Sequence, residues 1–200
     1  MIDITKKRCN SFYSEIIKKK AVPSKAIQKW KNSFECEIDW ENVSRNKLKN
    51  QLEVKISDFN FKVLNNILPT GTNLMRWKKA DNAFCIYCNI NNHSTKHLLW
   101  DCKHLQQLWE LIETSLDVEL TYQSIILGIP DKKNANTILS LLCFLIYKKY
   151  LGDRQNTHKM DIYAFISKEL SIRLGIYNSN VCSLRCRTLV QNILQLLVNM

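Results

Sequence analysis

Cys85, Cys88, His97 and Cys102 fall within one short stretch of a 200-residue chain. Three thiols and one imidazole in the pattern Cys-x2-Cys-x8-His-x4-Cys form a donor set for a tetrahedral metal ion. Zn²⁺ takes four such ligands in structural sites, and a Cys-x2-Cys pair supplies two of them from one tight turn. Four protein ligands leave no open position for water, so the predicted role is structural and not catalytic. Three thiolates around Zn²⁺ leave one net negative charge; Lys96 and Lys103 flank the ligands and are placed to offset it and to ease thiol deprotonation. The competing chemistry for Cys-x2-Cys is a redox dithiol, which belongs at a strand-to-helix junction in an α/β fold. Here the pair runs into Asn89-Ile90-Asn91-Asn92, a loop.

The histidine is a choice. His93 gives Cys-x2-Cys-x4-His, His97 gives His-x4-Cys, and His104 lies beyond Cys102. His97, on a predicted helix over the Cys pair, is preferred, with His93 as the alternative. Cys182 and Cys186 stand one helical turn apart; two thiols make an incomplete site and read as structural. Cys9, Cys36 and Cys143 read as thiols without a function.

The elements that must position these donors are helical. Residues 5–20 read as a basic helix or arm. Ser24 is placed to cap a helix over 25–34 carrying Ile27, Trp30 and Phe34. Residues 35–43 form an acidic, irregular link. Leu48, Leu52, Ile56, Phe59, Val63 and Ile67 then step by three and four, the stripe of one continuous helix from about 45 to 68, roughly 36 Å long. Pro69 stops it. A short helix over 73–80 leads into the Cys pair. Ser94 or Thr95 caps the helix bearing His97, and Leu105, Leu108, Trp109, Leu111 and Ile112 extend an amphipathic helix to about 116. Thr121 caps a short helical turn ending near Gly128. Three helices follow: about 135–151 with Gly152 past its end, 159–174 with Gly175 as a stop, and 181–199. The predicted class is all-α, a bundle-like helical array with a small zinc-stapled loop-and-helix insert. The expected organisation is a basic N-terminal segment over 1–42, a basic helix plus zinc-binding module over 43–118, and an apolar helical region over 119–200.

Hydrophobic content of 46% and charged content of 24% are those of a folded protein, and only 4 Gly and 3 Pro argue against a turn-rich sandwich or barrel. The longest apolar run, Leu141 to Tyr147, is too short to span a bilayer. No secretory signal is visible, so the eight scattered cysteines imply a reducing, intracellular setting, nucleus or cytoplasm. Net charge is +11; residues 1–80 carry 17 Lys+Arg against 8 Asp+Glu, whereas 81–200 carry 12 against 10. The basic half adjoins the metal motif, and its natural partner is a polyanion such as RNA or DNA. Lys47, Lys49, Lys55 and Lys62 on the long helix, with Arg76, Lys78 and Lys79 after it, are the candidate phosphate contacts. The bland reading is a solvated face. Trp30, Trp77, Trp100 and Trp109 at helical spacing read as core packing.

Leu68-Pro69-Thr70, Leu74 and Trp77, then Cys-x2-Cys-x8-His-Leu-Leu-Trp-Asp-Cys and Leu108-Trp109 resemble the C-terminal zinc-binding region of LINE-type non-LTR retrotransposon reverse transcriptases. The lead-in from Trp30 and Trp40 to Phe59-x-Phe61-Lys62-x-Leu64 is similar too, and the likeness covers about 27–130. It implies Cys85, Cys88, His97 and Cys102 as zinc ligands. It also implies a role beside the polymerase, holding template RNA or target DNA during target-primed reverse transcription. The family tends to carry an acidic residue four positions before the ligand histidine, where this chain has His93.

No catalysis is expected. A polymerase needs aspartates gathering two Mg²⁺ ions, and the chain contains no Asp-Asp. No endonuclease pattern and no nucleophile arrangement stands out. The expected function is a non-catalytic, zinc-stapled nucleic-acid-binding module that works with the polymerase part of a retrotransposon protein. The alternatives are a zinc-stabilised protein-interaction module or a decayed element fragment.

Overall fold

A computed structural model describes residues 25–34, 37–49, 51–90, 92–155, 161–176 and 184–198. The predicted arm over 5–20, the Ser24 cap, and Cys9, Cys36 and Cys182 lie outside them. The described residues are mostly helical and contain no β-strand, as the all-α class requires. None of their helices is long and apolar enough to cross a membrane.

The chain divides into two units, residues 1–37 and 38–200. In the first, helix α1 (Lys25–Phe34) stacks Trp30 on Phe34 with ring centroids 5.5 Å apart, and Lys31 pairs with Glu37 at 2.9 Å.

The second unit is organised around one long helix. Its elements are α2 (Trp40–Ser44), a π-helical turn (Arg45–Lys49), α3 (Val54–Leu64), α4 (Gly71–Arg76), a second π-helical turn (His97–Asp101), a 3₁₀ turn (Lys103–Leu105), α5 (Gln106–Leu116), α6 (Tyr122–Leu127), α7 (Lys133–Gln155), α8 (Ile162–Ile176) and α9 (Leu184–Val198). At 23 residues α7 is about 34 Å long. It is apolar around most of its girth through Ile138–Ile146, the pattern of a helix covered on all sides. Both π turns and α3, α6, α8 and α9 pack on it, and Ile138, Leu139, Leu141, Leu142 and Leu145 are fully buried. Elements from both sides of residue 118 therefore pack on α7 within the unit 38–200.

The continuous helix expected over 45–68 is broken. Arg45–Lys49 widens into a π turn, residues 51–53 leave the helix, and α3 begins at Val54. Side chains cover the carbonyls that the break frees: Asn60 Nδ2 donates to Lys47 O at 2.8 Å, and Ser57 Oγ donates to Leu48 O at 2.8 Å. Ile56, Phe59 and Val63 of the stripe stay buried, but Leu48 and Leu52 are half-buried, Ile67 is exposed, and the π turn buries Asn46 and Lys47 instead, so the stripe is broken with the helix. Two expected stops also fail, since Gly152 lies inside α7 and Gly175 inside α8. A Cβ at either would meet nothing within 4 Å, so neither glycine is required by packing. Continuation through Gly152 sets Asp153 one turn beyond Lys149, where the two form a buried ion pair. Thr121 caps α6 as expected, in a reciprocal capping box with Ser124. Of the four tryptophans expected in the core, Trp30 and Trp109 are buried and Trp100 is half-buried. Trp77 is exposed, because α4 ends at Arg76 and turns it outward.

Candidate metal centre

The Cys85–Cys88 pair sits on a tight turn closed by its own backbone. Asn89 N–H donates to the Cys85 carbonyl at 2.9 Å, and Cys85 N–H donates to the Ile90 carbonyl at 3.0 Å. Asn89 takes the left-handed conformation at φ 59, which asparagine tolerates better than most residues. The turn aims both sulfurs to one side.

His97 and Cys102 come from the second π turn. Residues five apart on an α-helix point about 140° away from each other. The wider turn, closed by Cys102 N–H donating to the His97 carbonyl at 3.1 Å, narrows that angle and turns both donors toward the Cys pair. Ser94 Oγ accepts from His97 N–H at 3.1 Å and caps the start; Thr95 does not cap it. Trp109 Nε1 donates to the Leu99 carbonyl at 3.1 Å and ties the π turn to α5.

The donor atoms of Cys85, Cys88, His97 and Cys102 all lie within 4.8 Å of one another. Cys85 Sγ and Cys102 Sγ are 4.0 Å apart, and Cys88 Sγ and His97 Nε2 are 3.2 Å apart. A tetrahedral zinc ion with Zn–S bonds of about 2.3 Å needs sulfurs about 3.8 Å apart. The donor set and its spacing fit that ion. All three cysteines are free thiols. The hydrogen bond with Cys102 holds the Cys85 sulfur down to about 4, as a thiolate, against the opposing effect of burial. The same bond pushes the Cys102 thiol well above its ordinary value. Zinc binding by these sulfurs releases whatever protons they still hold.

His93 stands outside the cluster. Its Nδ1 accepts from Gly71 N–H at 3.1 Å, its carbonyl accepts from Thr72 N–H at 3.1 Å, and its own N–H donates to the Ala83 carbonyl at 2.8 Å. These bonds clasp the start of α4. Gly71 permits the clasp, because a Cβ there would stand 3.0 Å from His93 Cβ and 3.2 Å from Ala83 Cα. Burial lowers the His93 pKa to about 4, so the ring is neutral. His104 is also outside, with Nε2 2.9 Å from the Tyr87 carbonyl.

The flanking lysines are used differently from expectation. Lys96 pairs with Asp101 at 3.6 Å and lies over the Tyr122 ring at 5.6 Å; Lys103 is exposed. The stronger tie between the Cys turn and the core was not visible in sequence. Tyr87 OH donates to Asp153 Oδ2 at 2.8 Å, and the same carboxylate oxygen takes the buried ion pair with Lys149. Burial, then the bond to Asp153, pushes the Tyr87 phenol upward, so it stays protonated as the donor. The i, i+4 spacing of Lys149 and Asp153 was the available signal, but its third member lies 62 residues from Lys149 in sequence.

Residues 7–109 match the family described as zinc-binding in reverse transcriptase. That is more than half of the chain. The chain belongs to this family. No curated protein and no solved structure matches it. As a reverse-transcriptase zinc-binding chain it has zinc as its cofactor, and its Cys3His cluster is suited to hold it. The family's matched span also contains the seven cations proposed to contact phosphate. Lys49, Lys55, Arg76, Lys78 and Lys79 are exposed. Lys62 pairs with Asp58 at 2.6 Å on the surface of α3. Lys47 is a correction. It is buried, its Nζ donates to the Ile125 carbonyl at 2.7 Å, and burial lowers its pKa to about 8. The π turn rotates it inward, away from any phosphate.

Proposed function

We propose that Cys85, Cys88, His97 and Cys102 hold one zinc ion as a closed structural centre. The module that this centre braces is a non-catalytic nucleic-acid-binding part of a retroelement reverse-transcriptase system of the LINE type. Its role is to hold template RNA or target DNA beside a polymerase during target-primed reverse transcription. The observation that carries the reading is the convergence of four soft donors within 4.8 Å in a family whose members bind zinc. With all four positions filled by protein, the centre supplies rigidity and no reactive water.

The partner follows from charge. Lys49, Lys55, Arg76, Lys78 and Lys79 are exposed within the family span, and residues 1–80 carry most of the chain's positive charge. Such a field attracts polyanions, and binding through it falls steeply as salt rises. The test is fluorescence anisotropy of labelled RNA and DNA oligonucleotides with the zinc-loaded chain. Affinity at about 50 mM salt that declines linearly in log–log form with added salt is the expected result. No affinity for any oligonucleotide at that salt sinks the reading.

A further inference from the structure

Resting on the nucleic-acid reading above, we infer that the turn over residues 75–84 is a stacking platform for single-stranded nucleic acid. Trp77 and Phe84 take base faces, and Arg76, Lys78 and Lys79 take the flanking phosphates. Trp77 is 38% exposed and Phe84 51%, and Met75 in the same stretch is 47% exposed. Among the other large rings, Trp109 is 4% exposed and Phe59 3%, while Phe61 on α3 is 50% exposed with no cation cluster like that of this turn next to it in sequence. An exposed tryptophan and phenylalanine in one turn have lost burial energy that the core would return.

The charges in the turn point to the occupant. Arg76, Lys78 and Lys79 are exposed, and none has a carboxylate partner within 4 Å among the described residues. Asp81 is the only acid among residues 75–84. The Arg76 guanidinium lies 5.9 Å from the Trp77 ring centre, so cation and ring present one mixed surface. Aromatic faces interleaved with unpaired cations suit a single strand, whose bases are free to stack; a paired duplex hides those faces. α4, at six residues, is too short to lie along a major groove.

The backbone adds an independent observation. The turn leaves α4 through two C-terminal bonds, Lys78 N–H to Met75 O at 2.9 Å and Lys79 N–H to Leu74 O at 2.8 Å. This geometry needs a left-handed residue, a position glycine favours, and Lys78 occupies it at φ 56. A lysine there accepts backbone strain in exchange for a side chain, as functional turns do. The turn is also held in place, through the His93–Gly71 clasp at one end and the Cys85 turn at the other.

The experiment uses the zinc-loaded full chain with a labelled single-stranded RNA of about 12 nucleotides and the matching duplex. The wild type should prefer the single strand. Trp77→Ala and Phe84→Ala should each weaken it by about tenfold while leaving the salt slope unchanged. Trp77→Phe and Phe84→Tyr should restore affinity. The triple change Arg76→Gln, Lys78→Gly, Lys79→Gln should flatten the salt slope by about two. Zinc content and circular dichroism of each variant should match wild type, since all five side chains are exposed. Wild-type affinity in both alanine variants, or tighter binding to the duplex, overturns the platform and leaves the nucleic-acid reading intact. Absence of binding to either oligonucleotide by the wild type removes both.

Discussion

The region around residues 71–105 and the region around α7 are held together by different physics. Around α7, leucines and isoleucines are removed from water on nearly every side, and the helix needs no ligand to stay folded. The second π turn anchors on α7 through the buried Leu98 and Leu99, whereas the Cys turn buries no leucine or isoleucine of its own. Their backbone is fixed by single hydrogen bonds, by the His93–Gly71 clasp, and by the four donors of the metal centre. The stretch over 81–92, which buries only Ala83 and Cys85 among its apolar side chains, depends most on a metal to close it. The two regions meet at Tyr87, Asp153 and Lys149, a polar joint in an otherwise apolar contact. Rigidity near the proposed binding surface thus falls to the metal, and global stability to the α7 core.

The largest expected effect separates the two. Chelation of zinc, or Cys88→Ser, should destabilise residues 71–105 by at least about 3 kcal/mol. Hydrogen exchange should show lost protection there, with α7 and α9 little changed. Equal loss of protection along α7 would break the comparison.

Next in size is the joint. Asp153→Ala leaves the Lys149 ammonium buried and unpaired and the Tyr87 hydroxyl without its acceptor, at about 3–5 kcal/mol. Unlike zinc removal, it should loosen α7 and the Cys turn together in hydrogen exchange. The pair change Lys149→Met with Asp153→Leu should recover most of the loss in a denaturant titration.

Gly71→Ala should cost about 1–3 kcal/mol, because the new Cβ must push apart His93 and Ala83. The damage should stay within residues 71–93. An unchanged denaturation midpoint would mean that the clasp contributes nothing.

The smallest effect belongs to the α7 side. The folded chain holds Lys47 at about 8 against an ordinary 10.5, so between those values the unfolded chain binds more protons and stability rises with pH. Burial pushes Cys143 up to about 11 from 9.0; there the folded chain keeps the proton, which lowers stability above pH 9. The clean window is therefore pH 8 to 9. Wild type should gain about 1 kcal/mol across it relative to Lys47→Met, measured by urea unfolding.

The metal motif was legible because ligand chemistry fixes residue type and spacing together. Cys-x2-Cys and His-x4-Cys survive any detail of the intervening loop. Helix α5 and the α6 cap were legible because period and cap lie in adjacent residues. The break after Lys49 was not, since its compensation comes from Ser57 and Asn60, which fit the helical stripe equally well as surface or core polar groups. Lys47 read as one of several surface lysines, because nothing local announces the Ile125 carbonyl 78 residues away. Gly152 looked like a stop because helix-end signals are local, while the reason to continue is the tertiary bond from Tyr87 to Asp153. The two histidines could not be separated by spacing. The clasp that occupies His93 depends on Gly71, 22 residues upstream.

The most direct test is native mass spectrometry of zinc-loaded wild type, His93→Ala and His97→Ala. Wild type and His93→Ala should each carry one zinc ion per chain, and His97→Ala should carry little. Full zinc in His97→Ala together with its loss in His93→Ala would contradict the proposed centre.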